Sequence, residues 1–160
     1  MQNKKLFVVL EQVLIISIFQ YIFCNFFHFK ITPSFYLIYL LILSFDGNVE
    51  ISLFLSLILG LIQDILNNEI LGITSIRYLL IVYFSSFFVV KSIRSKCSLI
   101  FIFSFLYFVM FSFGEINESF WDGKIILKYS ILFSFYNLLI GILIESIIRE
   151  IRKKWKEKIF

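Results

Sequence analysis

The sequence predicts an all-α membrane protein, a bundle of six transmembrane helices with both termini in the cytoplasm. Three observations lead there. Of 160 residues, 60% are hydrophobic and only 16% are charged, with a mean hydropathy of +0.93, whereas soluble domains average about 45 to 50% apolar and about 25% charged. Apolar runs near the ~20 residues needed to cross a bilayer recur along the chain. The cationic residues gather at those ends of the runs that an even number of crossings places on one side.

The first run, Leu6 to Phe27, contains Glu11, Gln12, Gln20 and Asn25 as polar breaks. Lys4 and Lys5 precede it, as in a signal peptide, but it is too long for one and no A-x-A-like site follows, so it reads as a retained helix. The second run, Pro33 to Phe45, is short. Pro33, the only proline, suits the first turn of its helix, where the missing N–H costs nothing. Ile51 to Leu66 gives the third helix, Ile70 to Val90 the fourth, Ser98 to Phe113 the fifth and Ile125 to Ile148 the sixth. Asn67, Asn68 and Glu69 form a turn before Gly72, so the third and fourth helices make an antiparallel hairpin.

Charge decides the parity. The tail carries Arg149, Arg152, Lys153, Lys154, Lys156 and Lys158, and the N-terminus Lys4 and Lys5, so both belong inside. Six spans also bring the Lys91, Arg94, Lys96 loop inside, leaving Lys30, Arg77, Lys124 and Lys128 outside. The outer loop Gly114 to Lys124 is weakly acidic, and Trp121 and Trp155 fall near opposite surfaces, as interfacial anchors do. No linker or repeat divides residues 1–160, which read as one integral-membrane domain.

Several classes are excluded. Two cysteines, Cys24 and Cys97, and one histidine, His28, assemble no metal site, and the topology puts the cysteines near opposite faces, as apolar thiols. GxGxxG, P-loop, GxSxG and HExxH patterns are missing, so no cofactor is expected. The basic tail starts where a span ends, so topogenesis and anionic lipid account for it without nucleic acid. Phe occurs 22 times and alanine never, which fits an AT-rich genome and leaves Ser and Gly for close helix contacts.

Ser52, Ser56, Gly60 and Asp64 recur every four residues along one face of the third helix, and Ser130, Ser134, Asn137, Gly141 and Glu145 form a similar stripe on the sixth. Small and polar stripes mark packing faces in lipid, so these two helices are expected to meet each other or a second protein. Glu11 and Glu145 lie near the inner surface and are expected to snorkel. Asp64, one turn before the hairpin connection, and Arg77, one turn after it, are expected to form an ion pair.

Gly60-Leu-Ile-Gln-Asp64-Ile-Leu, followed by Gly72 and a long apolar helix, resembles the signature of the rod shape-determining MreD family. Thr32-Pro33-Ser34-Phe35-Tyr36-Leu37 and the short basic tail agree with it, and the resemblance covers essentially the whole chain. Gln63 and Asn67-Asn68-Glu69 depart from the family pattern, where a turn richer in glycine is usual. The resemblance implies a non-enzymatic inner-membrane component of the bacterial cell-elongation machinery. It further implies binding to the bitopic protein MreC, and a link between MreB filaments and the peptidoglycan synthases RodA and its class B penicillin-binding protein. The fold it implies is similar to substrate-binding subunits of energy-coupling-factor vitamin transporters. Carried onto this chain, Gly60, Asp64 and Gly72, with Pro33 secondary, shape a hairpin and a partner-binding surface.

Two other readings stay open. A transporter subunit that binds a vitamin or other small molecule needs polar side chains converging on one cavity. A membrane-embedded enzyme would use Asp64 and Glu145, which the topology places near opposite faces. The residues leave self-association into a homo-oligomer open.

Overall fold

The computed structural model describes residues 2–26, 34–68, 70–90, 92–114 and 123–157. Every regular element among them is a helix: α1 (Gln2–Phe26), α2 (Phe35–Phe45), α3 (Val49–Asn67), α4 (Ile73–Ser85), α5 (Ile93–Gly114) and α6 (Gly123–Glu157). Val49–Asn67 and Ile126–Ile151 are long and apolar enough to cross a membrane by length and composition. Pro33 lies outside the described residues, as do His28, most of the Gly114 to Lys124 loop and the side chains of Cys24 and Trp155.

The architecture is built around α2. Its sequence, FYLIYLLILSF, is apolar on every side, and all eleven residues are buried. A helix without a polar face must be surrounded, and α2 packs against each of the other five helices. Ser34 starts it, its hydroxyl accepting the Leu37 N–H, which is the ordinary work of a serine cap. At 1.5 Å per residue α2 is only about 16 Å long, roughly half the thickness of a bilayer core.

Side-chain contacts fix the direction of each helix. Gln20 and Gln12 of α1 reach Phe35 and Tyr39 in turn, so α1 is antiparallel to α2. On α4, Tyr78 meets Ser34 and Ser85 meets Ser44, so α4 runs parallel to α2. Contacts of Asp64 with Gly72 and Thr74 make α3 antiparallel to α4. Asn137 of α6 reaches Ser34 and Ser104, and Lys96 of α5 reaches Asp46 and Glu145, so α6 follows α2 and α5 opposes both. Odd-numbered and even-numbered helices therefore point in opposite directions, and the start of α1 and the end of α6 share one end of the bundle.

Several boundaries differ from the sequence reading, and α6 continues to Glu157, past Ile148. The apolar run Ile70 to Val90 is helical only over Ile73–Ser85, about 20 Å. The hydroxyls of Ser85 and Ser86 bond back to the carbonyls of Val82 and Tyr83 at 2.9 and 2.6 Å, competing with the amides that would continue the helix. Beyond them the chain leaves the helix, and the Val90 N–H donates to the Phe45 carbonyl at 3.0 Å. The fifth helix begins at Ile93, not Ser98, which moves Lys96 from the expected loop into a helix.

Large apolar side chains also lie on the outside of the described bundle. Phe54, Ile65, Phe87 and Leu143 are each more than 60% exposed, and an apolar surface on this scale belongs against lipid or protein. The central position of α2 predicts an asymmetry between two truncations. Leu40→Ala should lower stability by about 2–5 kcal/mol, whereas Phe54→Ala on the outer face of α3 should leave the melting temperature in detergent nearly unchanged.

Candidate functional site

The α3–α4 hairpin is built from Gly60, Asp64 and Gly72. A Cβ placed on Gly60 would lie 2.4 Å from Ser75 Cα and 2.5 Å from Ser75 N, so only glycine lets the α4 backbone come this close. Ser75 seals the contact, its hydroxyl donating to the Leu57 carbonyl at 2.9 Å. One turn further, the fully buried Asp64 accepts the Gly72 N–H through Oδ2 at 2.7 Å and the Thr74 N–H through Oδ1 at 3.1 Å. It thus caps α4 from the neighbouring helix, supplying acceptors to first-turn amides that have none within the helix, with the helix dipole favouring the negative charge there.

Backbone conformation completes the connection. Gly72 has φ +98°, and a Cβ there would meet no atom within 4 Å, so the demand for glycine is conformational and not steric. Asn68 ends α3 at φ 55°, its N–H reaching the carbonyls of Asp64 and Ile65. Asparagine tolerates this left-handed region better than other residues with side chains, and it fills the turn position where glycine is usual.

A second polar group surrounds the start of α2. Asn137 accepts the Ser34 N–H at 3.1 Å and donates to Ser104 Oγ at 3.1 Å, while Gln20 accepts the Phe35 N–H at 2.9 Å. The Ser34 and Tyr78 hydroxyls lie 2.8 Å apart. Two helices, α1 and α6, thereby accept the amides that water would take at an exposed helix start, while α5 and α4 hold Asn137 and the Ser34 hydroxyl.

A third group lies at the opposite end of α2. Lys96, 4% exposed, is bonded to Asp46 and, at 3.0 Å, to Glu145 Oε1, which Arg149 also approaches at 3.1 Å. The cluster joins the α2–α3 turn to α5 and α6 and balances two carboxylates with two cations. A buried charge needs such company, because removing one partner leaves the other uncompensated.

These contacts revise several expectations. Asp64, expected to pair with Arg77, gives both of its carboxylate oxygens to backbone amides at the start of α4. Glu145 does not snorkel, being held inward by Lys96 and Arg149. The two stripes have different main packing partners. Ser52, Ser56, Gly60 and Asp64 are buried on α3, which packs on α4 and α2, while Ser130, Ser134, Asn137 and Gly141 are buried on α6, which packs on α5 and α2. Asp64 stands about 24 Å along α3 from the end that holds Asp46, so no acid–base pair with Glu145 forms. Cys97 is free and half-buried.

Asp46, Lys96, Gln20 and Tyr78 escaped the sequence reading. A signal for the first two existed, since Asp46, Lys96 and Glu145 all fall at helix ends that the six-span topology assigns to one side.

An alternating six-helix chain with an apolar exterior, membrane-capable helices and a glycine–aspartate hairpin defines a membrane-associated helical protein whose polar groups hold its own helices together. The family model for the rod shape-determining protein MreD matches residues 1–154, and the chain belongs to that family. No curated protein and no solved structure matches it. Its family is one of shape determination.

Two sets of variants test the site, one in the hairpin and one in the Lys96 cluster. Gly60→Ala should destabilise the hairpin and Ser75→Gly should not rescue it, because the closest atoms are Ser75 backbone; Asp64→Ala should cost about 1–3 kcal/mol and Asp64→Asn less, all measured by thermal unfolding in detergent. Lys96→Met should cost about 3–5 kcal/mol, and the double variant Lys96→Met/Glu145→Met should recover part of that loss.

Proposed function

We propose that this chain is a non-enzymatic scaffold of the cell-elongation machinery in the bacterial inner membrane. It crosses the membrane six times, with both termini in the cytoplasm, and maintains cell shape by binding MreC. Together they help couple MreB filaments to RodA and the class B penicillin-binding protein. The family match over residues 1–154 carries this reading.

Other features support it. The alternating helix directions bring the start of α1 and the end of α6 to one end, in keeping with Lys4, Lys5 and the basic tail on the cytoplasmic side. The short α2 and the non-helical stretch after α4 are compatible with a membrane because protein surrounds the first and the Phe45 carbonyl pairs with the second. The tail Arg149 to Lys158 then lies beside anionic lipid. Polar side chains from several helices bond to one another around the start of α2. The scaffold reading accords with this, since a site for a vitamin needs polar groups facing a cavity.

Gly60, Asp64 and Gly72 act indirectly in this scheme. Their side chains and backbone are spent within the hairpin, so they set the shape of the outer faces of α3 and α4 without being the contact. Affinity for a partner comes from many modest contacts, since polar contacts between membrane helices average about 0.6 kcal/mol.

Depletion in a rod-shaped or helical cell should produce round or swollen cells, scored by microscopy, and affinity purification of the tagged chain should recover MreC. Unchanged shape together with nanomolar vitamin binding by the purified protein would instead establish the transporter reading.

A further inference from the structure

The chain that joins α4 to α5 has two opposed needs. α4 ends at Ser85, and residues 86–90 run on outside any helix. Phe87 and Val89 are each more than 60% exposed, and Phe88 is 49% exposed. Tyr83 and Phe84, in the last turn of α4, are exposed beside them, and the Tyr83 ring stands edge-on to Phe84 and Phe87 at 5.9 and 5.4 Å. Apolar side chains on this scale are driven out of water. The backbone is not. The Phe88 N–H reaches the Ser85 carbonyl and the Val90 N–H the Phe45 carbonyl, but the Phe87 and Val89 N–H groups have no acceptor among the described residues. Hydrocarbon offers such groups nothing.

Depth reconciles the two. The Val90 bond ties the segment to the last residue of α2, next to Asp46, whose carboxylate holds Lys96. A Cβ on the exposed Gly47 would lie 3.9 Å from Val89. The rings therefore sit at the level of the ionic cluster, at the polar end of the bundle. At a membrane interface such rings turn into the acyl region while backbone amides meet headgroups and water. A helix of another protein would cover the rings, but its backbone is bonded internally and its apolar face offers these amides no acceptor.

Charge identifies the headgroups. No acidic residue occurs from Ile70 to Gly114, while Lys91, Arg94 and Lys96 follow the aromatic run. Lys96 is held by Asp46 and Glu145, whereas Arg94 is exposed and in no salt bridge among the described residues. An aromatic run followed by basic residues is the composition that draws a segment to an anionic surface.

We propose that the α4–α5 connection is an interfacial anchor: Phe87, Phe88 and Val89 enter the inner leaflet, and Arg94 engages the phosphate of anionic phospholipids. The inference rests on the six-span orientation proposed above and concerns lipid, not MreC.

The test uses the full chain with Trp121→Phe and Trp155→Phe and a single reporter, Phe87→Trp or Val89→Trp, in phosphatidylcholine vesicles containing a minor fraction of phosphatidylglycerol. Either reporter should be quenched by lipids brominated on the acyl chain near the headgroup, and less by lipids brominated near the chain end. Brominated phosphatidylglycerol should quench more strongly than brominated phosphatidylcholine at the same mole fraction. Arg94→Gln should lower the relative association constant for phosphatidylglycerol by about 5-fold, the effect expected of one cation near a charged surface. Arg152→Gln in the basic tail should leave it unchanged. Quenching by aqueous acrylamide without quenching by brominated lipid, equal quenching by the two lipids, or a preference unaffected by Arg94→Gln would each overturn the assignment. So would a reporter that neither quencher reaches, which marks burial against a second copy. These outcomes leave the topology intact. A reporter enzyme fused to the C-terminus and active only outside the cell would instead remove the six-span orientation, and the inner-leaflet assignment with it.

Discussion

Backbone groups at a helix end need partners, and inside this bundle water is not there to provide them. That constraint organises the structure around α2, whose eleven residues are all buried. Its first amides are taken by Gln20 from α1, Asn137 from α6 and its own Ser34 cap, and the turn after it is anchored through Asp46 to Lys96. A short apolar helix can occupy the centre only because its neighbours carry these few polar groups at the right depths.

The α3–α4 hairpin follows from the same need. α4 starts beside α3, and Asp64 is the acceptor that lets it start there. Gly60 brings the two backbones close enough for that carboxylate to reach, and Gly72 gives the backbone the left-handed turn that aims its N–H back at Asp64. The three residues act together as one device for joining two helices. The same logic explains why polar stripes on α3 and α6 are internal: in a lipid-facing protein, small and polar residues are where helices touch one another, and the outside is left to Phe, Leu and Ile.

Much of this is legible from the residues. Six helices, the hairpin, the buried stripes and the family resemblance rest on hydrophobic runs, four-residue spacing and one motif, which local patterns carry well. What the sequence hides is pairing between distant residues. Charge complementarity points the Asp64 carboxylate at Arg77, and does not reveal the two backbone amides that its oxygens accept, which no residue code displays. Glu145 looks interfacial in the sequence, but α5 begins early enough to bring Lys96 against it. The end of α4 at Ser85 is likewise concealed within a continuous apolar run, since two serine hydroxyls compete for carbonyls in a way that hydropathy does not register.

The Lys96 cluster also sets an order on biosynthesis. Its two carboxylates lie 50 residues before and 49 residues after it in the chain. When α5 emerges, Asp46 has already been made but Glu145 has not. Until the last helix arrives the ammonium group therefore has one of its two carboxylate partners, Asp46, which already offsets its charge. Arrival of α6 adds Glu145 and Arg149 together, one negative and one positive charge, so it completes the bonding of Lys96 and ties the last helix to the α2–α3 turn without changing the net charge of the cluster.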